Sequence, residues 1–128
     1  MHKARMGQTN KTIKRNKIMA THSKATDAAS KANRKRGGLM IKSLRNQMGY
    51  TQRELASKCE LDYYTFISQI EAGVGKIPPQ KLKIFATALG VKPMSFAREI
   101  LKYYDPVMFE VLFGISPDEP TDYKNLKE

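Results

Sequence analysis

Apolar side chains recur at helical spacing along residues 39–104, separated by glycine-containing or polar breaks. The i, i+3, i+4, i+7 spacing of one helix face occurs twice: at Ile41, Leu44, Arg45 and Met48, and at Leu82, Phe85, Ala86 and Leu89. Gly49 and Gly90 follow these two segments, and glycine is typical of the position just after a helix. The pattern therefore predicts a first and a fourth helix.

Two further helices are predicted between them. Thr51 and Glu54 have the spacing of a capping box, which begins a second helix whose inner face is Leu55, Ala56 and Cys59. Asp62 suits the N-cap of a third helix over residues 63–72. At 100° per residue, the inner face of this helix is Tyr63, Phe66, Ile67 and Ile70, and the outer face is Tyr64, Thr65, Ser68, Gln69 and Ala72.

The remaining segments are shorter. Pro93 begins a fifth helix with Phe96, Ile100 and Tyr103 inward, and Asp105-Pro106 caps a sixth, "VMFEVLF", that Gly114 ends. We predict an all-α fold: a compact five-helix domain over 39–103, an apolar helix at 104–114, a polar tail at 115–128, and a basic N-terminal arm at 1–38. Few large apolar residues occur in the arm, so it is expected to be disordered.

Charge is distributed unevenly along these 128 residues. Residues 1–36 contain eleven Lys and Arg against one acid, Asp27, so this part carries +10 of the formal net charge of +11. A basic arm attracts polyanions, chiefly nucleic acid. Three interpretations stay open: an arm that follows the DNA backbone or minor groove, a solvated tail, or a segment outside the working protein, since Met19 and Met40 are possible later starts.

Composition excludes several classes of protein. No run approaches the roughly 18 apolar residues of a membrane span. Cys59 is the single cysteine, and His2 and His22 lie in the arm, so we expect no disulfide, metal or other cofactor. The carboxylates are scattered without a nucleophile or phosphate loop, so we expect no catalysis. These features suit the cytoplasm.

The segments "IKSLRNQMGYTQRELASKCELDYYTFISQIEAG" and "PPQKLKIFATALGV" together resemble the phage repressor/Cro-type (XRE) helix-turn-helix family. The resemblance covers about residues 39–100. It implies a repressor-like DNA-binding fold in which the third helix enters the major groove of double-stranded DNA.

The resemblance also implies roles for individual residues. Arg45 and Glu71 match a pair that ties the first helix to the third. The positions that face bases correspond to Tyr64, Thr65 and Gln69. The DNA backbone would be contacted by Gln52 and Lys76. We also expect backbone contacts from Ser68 and, because the arm is basic, from Arg34, Lys35 and Arg36.

One departure from the family concerns the turn. "ELDYY" replaces the common Gly-Val-Ser turn, with one residue more between Thr51 and Ile67. The altered register gives Tyr64 an alternative role, in which it stacks on a sugar or bonds a phosphate through its hydroxyl.

Six of the seven residues 107–113 are apolar, so this helix is apolar on all sides. We expect a homodimer interface made by Val107, Met108, Val111, Leu112 and Phe113, with additional core as the alternative.

The expected function is a nucleoid-associated, sequence-specific transcriptional regulator, a dimeric repressor of a palindromic operator. The alternatives are an antitoxin that binds a toxin partner through its C-terminal region, and sequence-indifferent packaging of nucleic acid.

Overall fold

A computed structural model of the chain describes residues 27–127. The chain divides into two units, residues 1–30 and 31–128. All regular secondary structure in the described part is helical, which confirms the predicted all-α class. In the second unit, helix α1 covers residues 31–47. The helices that follow are α2 (Gln52–Lys58), α3 (Thr65–Glu71), α4 (Leu82–Ala88), α5 (Pro93–Tyr104) and α6 (Pro106–Phe113). Two short 3-10 helices lie at Pro79–Lys81 and Tyr123–Lys127.

The N-terminal boundary of the domain differs from the prediction. Residues 27–38 are helical instead of disordered, and the Gly37-Gly38 pair is buried inside α1. A Cβ on Gly38 would lie only 2.2 Å from the backbone oxygen of Glu71, so the missing side chain lets α1 approach the end of α3. The glycine pair is therefore a packing contact and not a linker. The prediction of disorder for residues 1–26 lies outside the described residues.

The capping box that begins α2 is confirmed. The Glu54 backbone N–H donates to Thr51 Oγ1 at 3.1 Å, and the Thr51 N–H donates to the Glu54 carboxylate at 3.2 Å. Leu55, Ala56 and Cys59 are buried, as their spacing predicts. The turn that follows contains Glu60 at a positive φ of 55°, a conformation that residues other than glycine seldom adopt.

The start of α3 was predicted incorrectly. The helix begins at Thr65, two residues later than expected, and Asp62 is not its cap; the capping position is Tyr64, whose side chain makes no capping hydrogen bond. Ile67 and Ile70 are buried as predicted, whereas Tyr63 and Phe66 are exposed. Tyr63 precedes the helix, and Phe66 lies about 100° around the helix from Ile67, on its flank.

One hydrophobic core joins α1 to α5 and the C-terminal 3-10 helix. Its largest fully buried side chains are Phe85 and Phe96, with Ile41, Leu44, Leu55 and Ile67 around them. Met48, predicted on the inner face of α1, is partly exposed because it follows the last residue of the helix.

The C-terminal segment is part of the fold and not a free polar tail. Leu126 is buried in the core, and its carbonyl accepts a 2.8 Å hydrogen bond from the Lys92 backbone N–H. The buried Lys102 ammonium donates to Glu99 Oε1 at 3.1 Å, to the Glu119 carbonyl at 2.8 Å and to Thr121 Oγ1 at 2.7 Å. These contacts fasten the segment to α5.

Candidate nucleic-acid interface

The outer face of α3 is an exposed surface of small and polar side chains. Thr65, Gln69 and Ala72 are exposed, and Ser68 is half-buried on one side of them. The residues of this face follow directly from the burial of Ile67 and Ile70, which fixes the opposite side against the core. The structure therefore places Thr65, Ser68 and Gln69 together, as the sequence predicted.

A buried ion pair fixes α3 to α1. Arg45 donates from Nε to Glu71 Oε2 at 2.7 Å and from its terminal nitrogen to Glu71 Oε1 at 3.0 Å. A third hydrogen bond of 2.7 Å runs from Arg45 to the Tyr50 carbonyl. The hydrogen bonds to Glu71 raise the pKa of the Arg45 guanidinium, although burial acts in the opposite direction. The pair expected from the family resemblance is thus confirmed in geometry.

The same carboxylate also holds the first residue of α2. Gln52 Nε2 donates to Glu71 Oε1 at 3.2 Å, and the Gln52 side chain is half-buried. Glu71 therefore links α1, α2 and α3, and it orients Gln52 beside the start of the capped helix. Because Glu71 accepts two hydrogen bonds from Arg45 and one from Gln52, it fixes the orientation of α3 relative to α2.

Tyr64 lies at the N-terminal end of α3 and is partly covered. The guanidinium of Arg53, on α2, lies 4.5 Å from the centre of the Tyr64 ring, within the range of a cation–π contact. Arg53 was not predicted as an interface residue. The signal in the sequence for Arg53 is its position on the exposed side of α2, one residue after Gln52.

Lys76 belongs to a loop that α5 holds in place. The Ile77 backbone N–H donates to the Tyr104 hydroxyl at 3.0 Å, and the exposed Lys76 ammonium lies 5.6 Å from the Tyr104 ring centre. Burial raises the pKa of Tyr104, while the hydrogen bond from Ile77 opposes that change. The loop therefore presents Lys76 from an anchored backbone.

The three basic residues predicted in a free arm lie instead on α1, near the C-terminal end of α3. Arg34 Nε donates to the Gly73 carbonyl at 3.4 Å, and Arg36 is hydrogen-bonded to Asn33 one turn earlier. A Cβ on Gly73 would lie 2.6 Å from Lys35 Cα, so the two backbones are in close contact. From Tyr64 to Gly73 the chain rises about 13 Å along the helix direction, which separates this basic group from the start of α3.

Helix α6 packs against α5 but buries only one of its six apolar side chains. Phe109 is buried and packs against Phe113 with 5.2 Å between ring centres. The other apolar residues of the helix are exposed: Val107, Met108, Val111, Leu112 and Phe113. Beside Phe113 lies a groove of about 460 Å³ lined by residues of α4 and α5, namely Leu82, Met94, Ser95, Ala97, Arg98 and Leu101. The alternative expectation, that α6 adds to the core, holds only for Phe109.

Comparison with known families agrees with this geometry. Residues 41–96 match the family model described as Helix-turn-helix, from α1 to Phe96 in α5. No curated protein and no solved structure matches the chain. Over residues 41–96, somewhat less than half of its length, the chain therefore matches a helix-turn-helix family of the XRE type, and this match supports a DNA-binding regulator. The match includes α2, α3 and the Lys76 loop, and it excludes Arg34–Arg36 and α6.

Two further observations concern the described residues alone. Between residues 27 and 127, no helix is both long and apolar enough to cross a membrane. Within the same part of the chain, no three His, Cys, Asp or Glu side chains are grouped so that they could hold a metal ion.

Proposed function

We propose that this protein is a sequence-specific transcriptional regulator that inserts α3 into the major groove of double-stranded DNA. The observation that carries the proposal is the division of α3 into two faces. Ile67 and Ile70 pack in the core, and the Arg45–Glu71–Gln52 network holds the helix against α1 and α2. The polar face is left exposed on a helix with a fixed direction, which is what direct readout of base edges requires.

Base recognition would involve the first turns of α3. The Gln69 amide suits the paired donor and acceptor of adenine, and Thr65 suits a hydrogen bond or a thymine methyl contact. Tyr64 has one ring face covered by Arg53, so its hydroxyl is its principal contact group, to a base edge or to a phosphate.

The DNA backbone would be bound on both sides of this helix. Gln52 is positioned at the N-terminus of α2 and Ser68 lies at the edge of the α3 face, while Lys76 extends from the anchored loop. Arg34, Lys35 and Arg36 would add phosphate contacts near the far end of α3. Contacts of this kind give affinity without sequence information.

We propose further that α6 forms the interface of a homodimer. Of its five exposed apolar residues, Phe113 lines the groove between α4 and α5, and a second copy would cover these residues together with the groove. A two-fold dimer would place two α3 helices about 34 Å apart, which corresponds to a palindromic operator. Bound at a promoter in the nucleoid, the dimer would repress by excluding polymerase.

The experiment that tests this function is selection from a random double-stranded DNA library at near-physiological salt, followed by sequencing of the bound pool. We expect an inverted repeat with half-sites about ten base pairs apart. Recovery of unrelated sequences, with equal affinity for any DNA, would contradict the proposal and favour sequence-indifferent packaging.

The dimer is tested separately by sedimentation of the purified protein. Val111, 75% exposed, is replaced by Glu, which should convert a dimer into a folded monomer because a charge cannot be buried there without a partner. A wild-type chain that is monomeric at micromolar concentration would contradict the homodimer. That result would favour the second candidate, an antitoxin whose exposed α6 binds a toxin.

A further inference from the structure

Phe66 is an exposed aromatic residue on the helix proposed to enter DNA. Its side chain is 50% exposed, although Phe85, Phe96 and Phe109 are buried. Exposure of a large apolar group to water is unfavourable by roughly 25 cal/mol per Å². Half of the Phe66 side chain therefore stays in contact with water in the folded chain, where a bound partner could cover it.

The neighbours of Phe66 are the residues proposed to read bases. Gln69 follows it by three positions and is therefore on the adjoining part of the helix surface, about 5–6 Å away between Cβ atoms. Thr65 precedes it and is exposed as well. Phe66 therefore lies at one edge of the exposed face of α3, and the half-buried Ser68 lies at the opposite edge.

The chemistry of the major groove limits what such a side chain could contact. Phenylalanine has no hydrogen-bonding group, and the bases of an intact duplex are stacked on one another. The apolar group that the major groove exposes is the C5 methyl of thymine. Cytosine, adenine and guanine present donors and acceptors there, which a phenyl ring would desolvate without compensation.

We propose that Phe66 is a specificity-determining residue that contacts a thymine methyl group in the major groove. The proposal rests on the proposed function, and it adds a residue and a base identity to it. Phe66 would favour thymine at a position adjacent to the base that Gln69 contacts. Arg53, an exposed residue whose guanidinium lies 4.5 Å from the Tyr64 ring centre, suits the negative charge of the same DNA surface.

The test removes the methyl group without changing base pairing. The probe is the duplex recovered by the selection experiment, and a series of copies carries deoxyuridine in place of one thymine at a time. Binding is measured by fluorescence anisotropy for the wild-type protein, Phe66→Ala and Phe66→Leu. A matched control is Leu39→Ala, since Leu39 is 55% exposed on α1 and belongs to no proposed contact.

We expect the wild-type protein to lose about four-fold in affinity at one thymine position of each half-site, as for one buried CH₂-sized group. For Phe66→Ala, replacing that thymine by deoxyuridine should no longer change the affinity, while any other thymine preference is kept. Phe66→Leu should show part of the wild-type loss of affinity. Leu39→Ala should behave as the wild type. Thermal unfolding checks that each variant is folded.

Four results would overturn the proposal. A uracil penalty equal in the wild type and Phe66→Ala, or a recovered site in which no thymine is sensitive, would remove the methyl contact while leaving the DNA-binding function intact. Loss of self-association in Phe66→Ala without a change in thymine preference would assign the residue to a protein contact. Failure of the selection itself to recover a motif would overturn the proposed function, and the Phe66 contact with it.

Discussion

The shared carboxylate of Glu71 provides the most direct test of how the fold supports DNA binding. Replacing Glu71 by Ala would leave the Arg45 guanidinium, 8% exposed, buried with one remaining hydrogen bond to the Tyr50 carbonyl. Removal of one partner from a buried ion pair typically costs about 3–5 kcal/mol, because the other charge stays desolvated without compensation. A domain of this size is stable by about 5–15 kcal/mol, so the loss is a large fraction of the total.

The assay is thermal and urea-induced unfolding followed by circular dichroism. At roughly 4–5 °C per kcal/mol for a domain of this length, we expect the Tm of Glu71→Ala to fall by about 15–20 °C, with an unchanged slope against urea. Glu71→Gln keeps a hydrogen-bond acceptor and should lose less. Glu60→Gln is a matched control, because Glu60 is exposed and the same charge is removed.

A double variant separates the ion pair from simple loss of packing. Arg45→Met combined with Glu71→Leu removes both charges together, and we expect it to recover most of the stability that Glu71→Ala loses. A cost below about 1 kcal/mol for Glu71→Ala, the range of exposed ion pairs, would contradict a stabilising role of the buried pair. A double variant less stable than Glu71→Ala would contradict it as well.

Three other changes test separate parts of the molecule. Gln69→Ala should cost about 1–3 kcal/mol on the selected site and relax the choice of one or two bases; an equal loss on all sequences would contradict the assigned orientation of α3. Burial raises the pKa of the Cys59 thiol to about 11 from 9.0, so alkylation at pH 8 should be much slower in the native than in the urea-unfolded protein. Because the folded state keeps this proton after the unfolded chain has lost it, stability should also fall between about pH 9 and pH 11, with a smaller fall in Cys59→Ala. Leu126→Ala should cost about 2–5 kcal/mol in urea unfolding, whereas a cost below 0.5 kcal/mol, typical of surface changes, would mean that the C-terminal segment is not part of the cooperative core.

The elements that the sequence predicted well depend on local chemistry. The Thr51–Glu54 capping box is complete within four residues, so its hydrogen bonds follow from the sequence of that turn. The buried positions of α4 also agree, since Phe85, Ala86 and Leu89 repeat at the period of a single helix. Ile67 and Ile70 were placed in the core for the same reason.

The errors occurred where distant segments meet. Gly37-Gly38 has the composition of a linker, and only its contact with the end of α3 shows why a side chain is excluded there. The C-terminal segment is polar in composition, yet its Leu126 is buried in the core. Hydrogen bonds to Lys102 on α5 and to Lys92, the residue before α5, hold this segment in place. Phe66 was assigned to the inner face of α3 from its position on the helical wheel, yet half of its side chain is exposed in the folded domain.

The sequence by itself therefore determined the presence of the helices, the Thr51 cap of α2 and most of the residues that each helix buries, because these depend on neighbours within a few positions. Tertiary structure decided where α3 begins, how far the domain extends at both ends, and which side chains surround the outer face of α3. Those features arise from contacts between residues that are far apart in the chain, such as Arg45 with Glu71 and Arg34 with Gly73. Their free energy becomes available only when the helices pack together.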